Sequence, residues 1–137
     1  MTWLFVTLLA FDLAAVKHEP NLERRSELAL DNAATAVTAC SDAYKTGDID
    51  KTRAEASEIE ESVTIAVEAL HETGKDARRS PKYFKHAELT TRQLLRRIEG
   101  LIESMSSADR PLLLIVRDRI ADMHDELLGD MMKKKGN

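Results

Sequence analysis

Few residues in this chain have the types and spacing that metal or enzymatic chemistry requires. None of the four histidines lies four residues from another histidine or from the single cysteine, so no helix carries a ready pair of metal ligands. Cys40 falls on an apolar stripe without a basic neighbour that would lower its thiol pKa. Four late residues offer soft ligands to Cu(I), although methionine at helical spacing more often fills a core: Met123, His124, Met131 and Met132. The sequence therefore predicts no metal site and no cofactor.

A second pattern places arginine shortly before histidine on a predicted late helix. Four residues separate Arg119 from His124, and six separate Arg117 from it. This arrangement resembles the arginine–histidine motif of HEPN ribonucleases, which are small all-α domains that work as dimers. The resemblance implies that Arg119 or Arg117 positions a phosphate and that His124 is the general acid or base on an RNA 2′-hydroxyl.

Two further resemblances point to exported bacterial proteins. Residues 89–93 (LTTRQ) match the Leu-Thr-x-x-Gln pattern of periplasmic helical stress chaperones, which form concave and often dimeric cradles. Residues 78–85 (RRSPKYFK) and 125–128 (DELL) resemble segments of small exported bacterial helical-bundle proteins of unknown function. The first resemblance implies a chaperone-like role, and the second implies export and a helical bundle without an assigned activity.

The charge of the chain is unevenly distributed. Residues 20–74 contain twelve acidic and five basic residues, whereas residues 75–97 contain two acidic and eight basic ones. The basic segment supplies a candidate anion-binding or partner-binding face, made of Arg78, Arg79, Lys82, Tyr83 and Lys85. The alternative, favoured by the closeness of this segment to the acidic second helix, is pairing of its bases with Glu58, Glu61, Glu68 or Glu72. The formal net charge of −4 argues against nucleic acid, so we expect an unknown protein partner or self-association.

Four helices must position these residues. Apolar residues recur at helical spacing in four stretches, and no stretch alternates with the period of a strand. Residues that end or cap helices separate the stretches, at 46–48 (TGD), 73–74 (TG) and 106–109 (SSAD). Helices of nearly equal length joined by short loops favour antiparallel packing. The sequence predicts an all-α protein, an antiparallel up-down bundle of four main helices preceded by an apolar N-terminal segment.

The first 16 residues are mostly apolar, and the run ends abruptly at Lys17. A membrane span needs about 20 apolar residues, whereas this run has the length of a secretory h-region. Residues 1–16 are therefore a signal peptide or, alternatively, an N-terminal apolar helix, and residues 17–137 form a single helical-bundle domain. The position and the abrupt end favour export, which predicts a periplasmic or secreted location over a cytoplasmic one. Membrane contact would come only through the N-terminal segment if it stays uncleaved.

The absence of familiar catalytic patterns shapes the functional prediction. The sequence has no nucleotide-binding loop, no paired metal ligands and no nucleophile beside a base. We therefore expect a non-enzymatic exported helical interaction module whose partner the sequence does not identify. The alternatives are the HEPN-like ribonuclease and a periplasmic helical protein of chaperone-like or metal-responsive type.

Overall fold

The computed structural model describes residues 13–132, and four long helices account for most of that range. They are α1 (Leu22–Lys45), α2 (Ile49–Glu72), α3 (Pro81–Ser104) and α4 (Pro111–Met132). A short helical stretch at residues 13–17 precedes α1, and no strand occurs between residues 13 and 132. The predicted all-α up-down bundle of four main helices is confirmed, and each helix runs antiparallel to the one before it in sequence. Residues 1–12, which hold most of the predicted signal peptide, lie outside the described part of the chain, as do residues 133–137.

The helix ends follow from local sequence. Helix α1 stops where Gly47 adopts a left-handed conformation with φ 79°, which glycine tolerates because it has no Cβ. Next to it, the Asp48 side chain accepts a hydrogen bond from the Lys51 amide at 3.0 Å and so caps α2. Gly74 ends α2 in the same way, with φ 68°. Pro81 opens α3, where its missing N–H costs no helical hydrogen bond.

The bundle is built from two helical hairpins. In the first, Asn32 donates to Ser62 Oγ at 2.8 Å and Cys40 Sγ lies 3.5 Å from the Thr52 carbonyl oxygen. Residue numbers that rise along α1 therefore fall along α2, as antiparallel packing requires. Helices α3 and α4 form the second antiparallel hairpin.

The two hairpins pack so that neighbours from different hairpins run parallel. Arg97 of α3 donates to Thr38 Oγ1 of α1 at 2.7 Å, and Arg119 of α4 pairs with Glu60 of α2. The consecutive helices α2 and α3 contact each other least among the helix pairs that pack together. The order around the bundle is therefore α1, α2, α4, α3, and the loop at residues 73–80 crosses a diagonal.

One apolar core connects the four helices. Alanine predominates on the buried side of α1, at positions 29, 33, 36 and 43, which lets α2 approach closely. Larger side chains, each less than 2% exposed, fill the remaining space: Leu30, Ile59, Leu70, Leu94, Ile98, Leu113, Ile120 and Leu127. Truncating one such side chain to alanine costs ~2–5 kcal/mol, so this core fixes the helices that carry the surface described next.

Candidate functional site

Between residues 82 and 97, the outward surface of α3 carries basic side chains and no exposed acid. We define the basic face as five exposed residues: Arg79, Lys82, Lys85, Arg92 and Arg96. The four on the helix follow one another at spacings of three, seven and four residues, which places them on one side. From Lys82 to Arg96 the helix rises by about 21 Å. The only acid between residues 77 and 98 is Glu88, and it is buried.

The bases of this face do not meet the acids that the sequence suggested for them. Glu61 of α2 pairs instead with Lys17 at 2.8 Å, and Glu72 is approached by a base of α1 at 3.7 Å. Within residues 13–132, neither Lys82 nor Lys85 forms an ion pair. The expected pairing with α2 therefore does not occur at these two lysines, whose charge faces solvent.

The other predicted members of the face lie at its N-terminal end. Arg78 and Arg79 are exposed in the loop before α3. Tyr83 is partly buried and packs against the core, and Lys82 Nζ lies 5.2 Å from its ring centroid. That distance allows a cation–π interaction, so Tyr83 supports Lys82 instead of presenting a bare ring to a ligand.

A buried carboxylate behind the basic face joins α3 to α4. Glu88 accepts a hydrogen bond from Arg92 Nε at 2.9 Å, and its Oε2 lies 2.8 Å from His124 Nε2. Burial by itself would raise the pKa of Glu88, but the hydrogen bonds from His124 and Arg92 outweigh burial and hold this pKa below its ordinary value. The ionised carboxylate anchors Arg92, and its inward direction leaves the outer surface of α3 between residues 82 and 97 without exposed negative charge.

The three residues of the predicted ribonuclease motif have different neighbours. His124 faces α3 and its buried carboxylate, whereas Arg119 faces α2 and pairs there with Glu60. Arg117 contacts Glu99 at 3.1 Å and the adjacent Asp118 at 3.0 Å. Each arginine is thus bound to carboxylates, and these contacts do not gather the three side chains into one cluster.

The single cysteine and the soft-ligand candidates have different surroundings. Cys40 is buried between α1 and α2, where burial and then the nearby charge of Glu55 raise the pKa of its thiol to about 11. Met123 and Met131 pack against the core, whereas Met132 is 75% exposed. Among the residues that the structure describes, no three histidine, cysteine or acidic side chains are arranged to hold a metal ion.

A buried acid that the sequence analysis did not single out lies on α2. Glu55 is only 6% exposed, and its Oε2 has no hydrogen-bond partner in the described part of the chain. Burial, reinforced by Glu58, raises the pKa of Glu55, and Lys51 opposes this only in part. Its position in the helical repeat indicates that Glu55 is buried, since it follows the buried Thr52 by three residues and precedes the buried Ile59 by four.

Comparison with known proteins adds no relative to this description. No family model matches the chain, and no curated protein matches it. None of the helices between residues 13 and 132 has the length and apolar character needed to cross a membrane. The basic face is the feature on which a functional proposal rests.

Proposed function

We propose that this protein is an exported, non-enzymatic helical interaction module that docks an acidic partner protein on the basic face of α3. The observation that carries the proposal is the unbalanced charge of this surface. Lys82 and Lys85 form no ion pair with a described residue, and no exposed acid lies between residues 77 and 98. An exposed surface of one sign speeds association with a partner of the opposite sign and selects against partners of the same sign.

An acidic protein suits this surface better than nucleic acid does. Leu89, which is 50% exposed, lies among the bases and offers an apolar anchor of the kind that helix-to-helix docking uses. Single-stranded nucleic acid would require exposed rings on which bases stack, and Tyr83 is partly buried under Lys82. The net charge of −4 also repels a polyanion that extends beyond the face.

Export is supported by the sequence of residues 1–16, with its apolar run and abrupt end at Lys17. N-terminal sequencing of the protein from its native host tests this part separately. A chain that begins near residue 16 supports export, and a chain that retains Met1 contradicts it.

Binding of fluorescent poly-L-glutamate to the full chain tests the docking surface. Replacing Lys82→Glu together with Lys85→Glu should weaken binding by about tenfold or more, because two attractive charges become repulsive. The matched control, Lys45→Glu with Lys51→Glu, makes the same change of charge at two exposed lysines beside the α1–α2 turn and should change binding little. Binding should also fall steeply with added salt.

Two outcomes would contradict the proposal. Equal weakening by both pairs of substitutions would show general attraction without a defined face. Tighter binding of a single-stranded DNA oligomer than of poly-L-glutamate of matched charge would identify nucleic acid as the ligand instead.

The ribonuclease alternative has less support, because His124 and both arginines of the motif are engaged by carboxylates. A cleavage assay on RNA with His124→Ala distinguishes it. Cleavage by the wild-type chain that disappears in this variant would establish the enzyme, and absence of cleavage by the wild-type chain would exclude it.

A further inference from the structure

The large apolar side chains that remain exposed are confined to one hairpin. In the described part of the chain they are Leu89 on α3, Ile115 on α4 and Met132 on α4, with 50%, 58% and 75% of their surface exposed. None lies on α1 or α2, although those helices are equally long. Exposed apolar residues that cluster on one side of a bundle, rimmed by polar ones, mark an interaction surface.

The outward surface of α4 is acidic where that of α3 is basic. Asp118, Asp122 and Asp125 are exposed, and their spacing of four and three residues places them on one side of the helix, which we call the acidic face. Ile115 and Met132 lie on the same side of the helix, because Ile115 precedes Asp118 by three residues and Met132 follows Asp125 by seven. From Ile115 to Met132 the helix rises by about 26 Å, which is similar to the length of the basic face.

The charges of the acidic face are only partly balanced within the chain. Arg117 contacts Asp118 at 3.0 Å, and His124 Nδ1 lies 3.9 Å from Asp125. Asp122 forms no ion pair with any residue from 13 to 132. The exposed arginine next in sequence to Asp118, Arg119, turns toward Glu60 on α2 and so does not neutralise the acidic face.

The two faces lie side by side, because α3 and α4 are adjacent and antiparallel. A two-fold axis that lies between the two copies and runs parallel to the helices would bring α3 of one copy against α4 of the other, and α4 of the first against α3 of the second. Both contacts would then join a basic face to an acidic one. Such an interface uses the same patch on both copies and closes at two subunits.

We propose that the acidic partner of the basic face is a second copy of this chain, and that the protein forms a two-fold dimer through its α3–α4 side. The inference rests on the proposed function, because it takes the basic face as a docking surface for an acidic protein. Opposite charges set the register of the two copies, and Leu89, Ile115 and Met132 become covered. The α1–α2 hairpins point away from the interface.

The molar mass of the full chain in solution, measured by light scattering after size-exclusion chromatography, tests the dimer. The wild-type protein should have twice the 15.4 kDa mass of one chain at low salt, and the dimer should weaken in 1 M NaCl. A basic-face variant, Lys85→Asp with Arg96→Asp, should be monomeric. An acidic-face variant, Asp122→Lys with Asp125→Lys, should be monomeric as well, because each variant places like charges opposite each other across the interface.

Mixing the two variants provides the decisive measurement. In the mixture an acidic α3 meets a basic α4, and an acidic α4 meets a basic α3, so a heterodimer of two chain masses should form. The control variant Lys45→Asp with Lys51→Asp should remain dimeric, and circular dichroism should show that every variant keeps its helical content.

Several results would overturn the dimer. They are a monomeric wild-type chain, a dimer that survives both charge reversals, and a mixture that stays monomeric. Larger assemblies in the mixture would indicate head-to-tail packing instead of a two-fold axis. A monomeric wild-type chain that still binds poly-L-glutamate through Lys82 and Lys85 would refute the dimer and leave the proposed function standing. A monomeric wild-type chain that does not bind poly-L-glutamate through these lysines would refute both proposals.

Discussion

Replacing Glu55 by glutamine should stabilise the bundle at neutral pH. Glu55 is 6% exposed and its Oε2 has no hydrogen-bond partner among the described residues, so this oxygen is desolvated without a compensating hydrogen bond. A buried polar group left unpaired costs ~1–3 kcal/mol, and a charged one costs more. Glutamine keeps the shape and removes the charge, so we expect a gain of ~1–2 kcal/mol at pH 7. For a chain of 137 residues this corresponds to a rise in Tm of about 4–8 °C.

The same substitution should change how stability depends on pH. The pKa of Glu55 is raised in the folded chain, so the folded state holds this proton more tightly than the unfolded state does. The stabilisation is therefore complete below the ordinary pKa of glutamate and is lost as the pH rises through the raised pKa of the folded state. Glu55→Gln has no proton to lose, and its advantage over the wild type should shrink toward zero as the pH falls to about 4.

Urea unfolding followed by circular dichroism at several pH values between 4 and 8 measures both effects. Glu68→Gln is the matched control, because Glu68 lies exposed on the same helix. It should shift the free energy of unfolding by less than about 0.5 kcal/mol. If Glu55→Gln lowers stability at pH 7, or if its stability follows that of the wild type in parallel across this range, the carboxyl is not held in an uncompensated site and the reasoning fails.

Three further predictions concern single residues. His124→Ala should lower the free energy of unfolding by ~1–3 kcal/mol in urea, because Glu88 loses one partner of its buried carboxylate and keeps only Arg92; an unchanged midpoint would contradict this. The Cys40 thiol, with a pKa of about 11, should react with a disulfide reagent at neutral pH only in urea that unfolds the chain, and rapid reaction in buffer would show that the site is open. Gly100→Ala should raise the free energy of unfolding by up to ~1 kcal/mol, because the new Cβ has nothing within 4 Å and alanine favours a helix interior; thermal unfolding of the variant measures the gain.

The sequence predicts the helices well because each carries its own boundary signals. Gly47, Asp48 and Gly74 act through local backbone conformation, which a short window of sequence contains. The order of the helices around the bundle depends on the path of the loop at residues 73–80. That path follows from which apolar faces fit together in three dimensions, and a stripe on one helix does not identify its partner stripe.

The candidate site was predictable only where the local sequence determines it. The basic segment is visible as composition, and its exposure follows from helical spacing. The inward direction of the Glu88 side chain cannot be predicted from the sequence, because an acid among exposed bases is typical of a mixed charged surface. Only the structure shows that its Oε2 lies 2.8 Å from His124 Nε2 of α4. Glu55 was missed because its charge conceals a position that the helical period assigns to the buried side.

The diagonal path between the hairpins has a consequence for the rate of folding. Contacts between α1 and α3, and between α2 and α4, join residues 59 positions apart, as at Thr38–Arg97 and Glu60–Arg119. Each hairpin can form from nearby residues, but docking the hairpins must first close a long loop, whose entropy opposes the step. Chains with more distant contacts fold more slowly, so this bundle should fold more slowly than one whose helices contact only their neighbours in sequence. The barrier then lies at the docking of two preformed hairpins, where the parallel helix pairs come together.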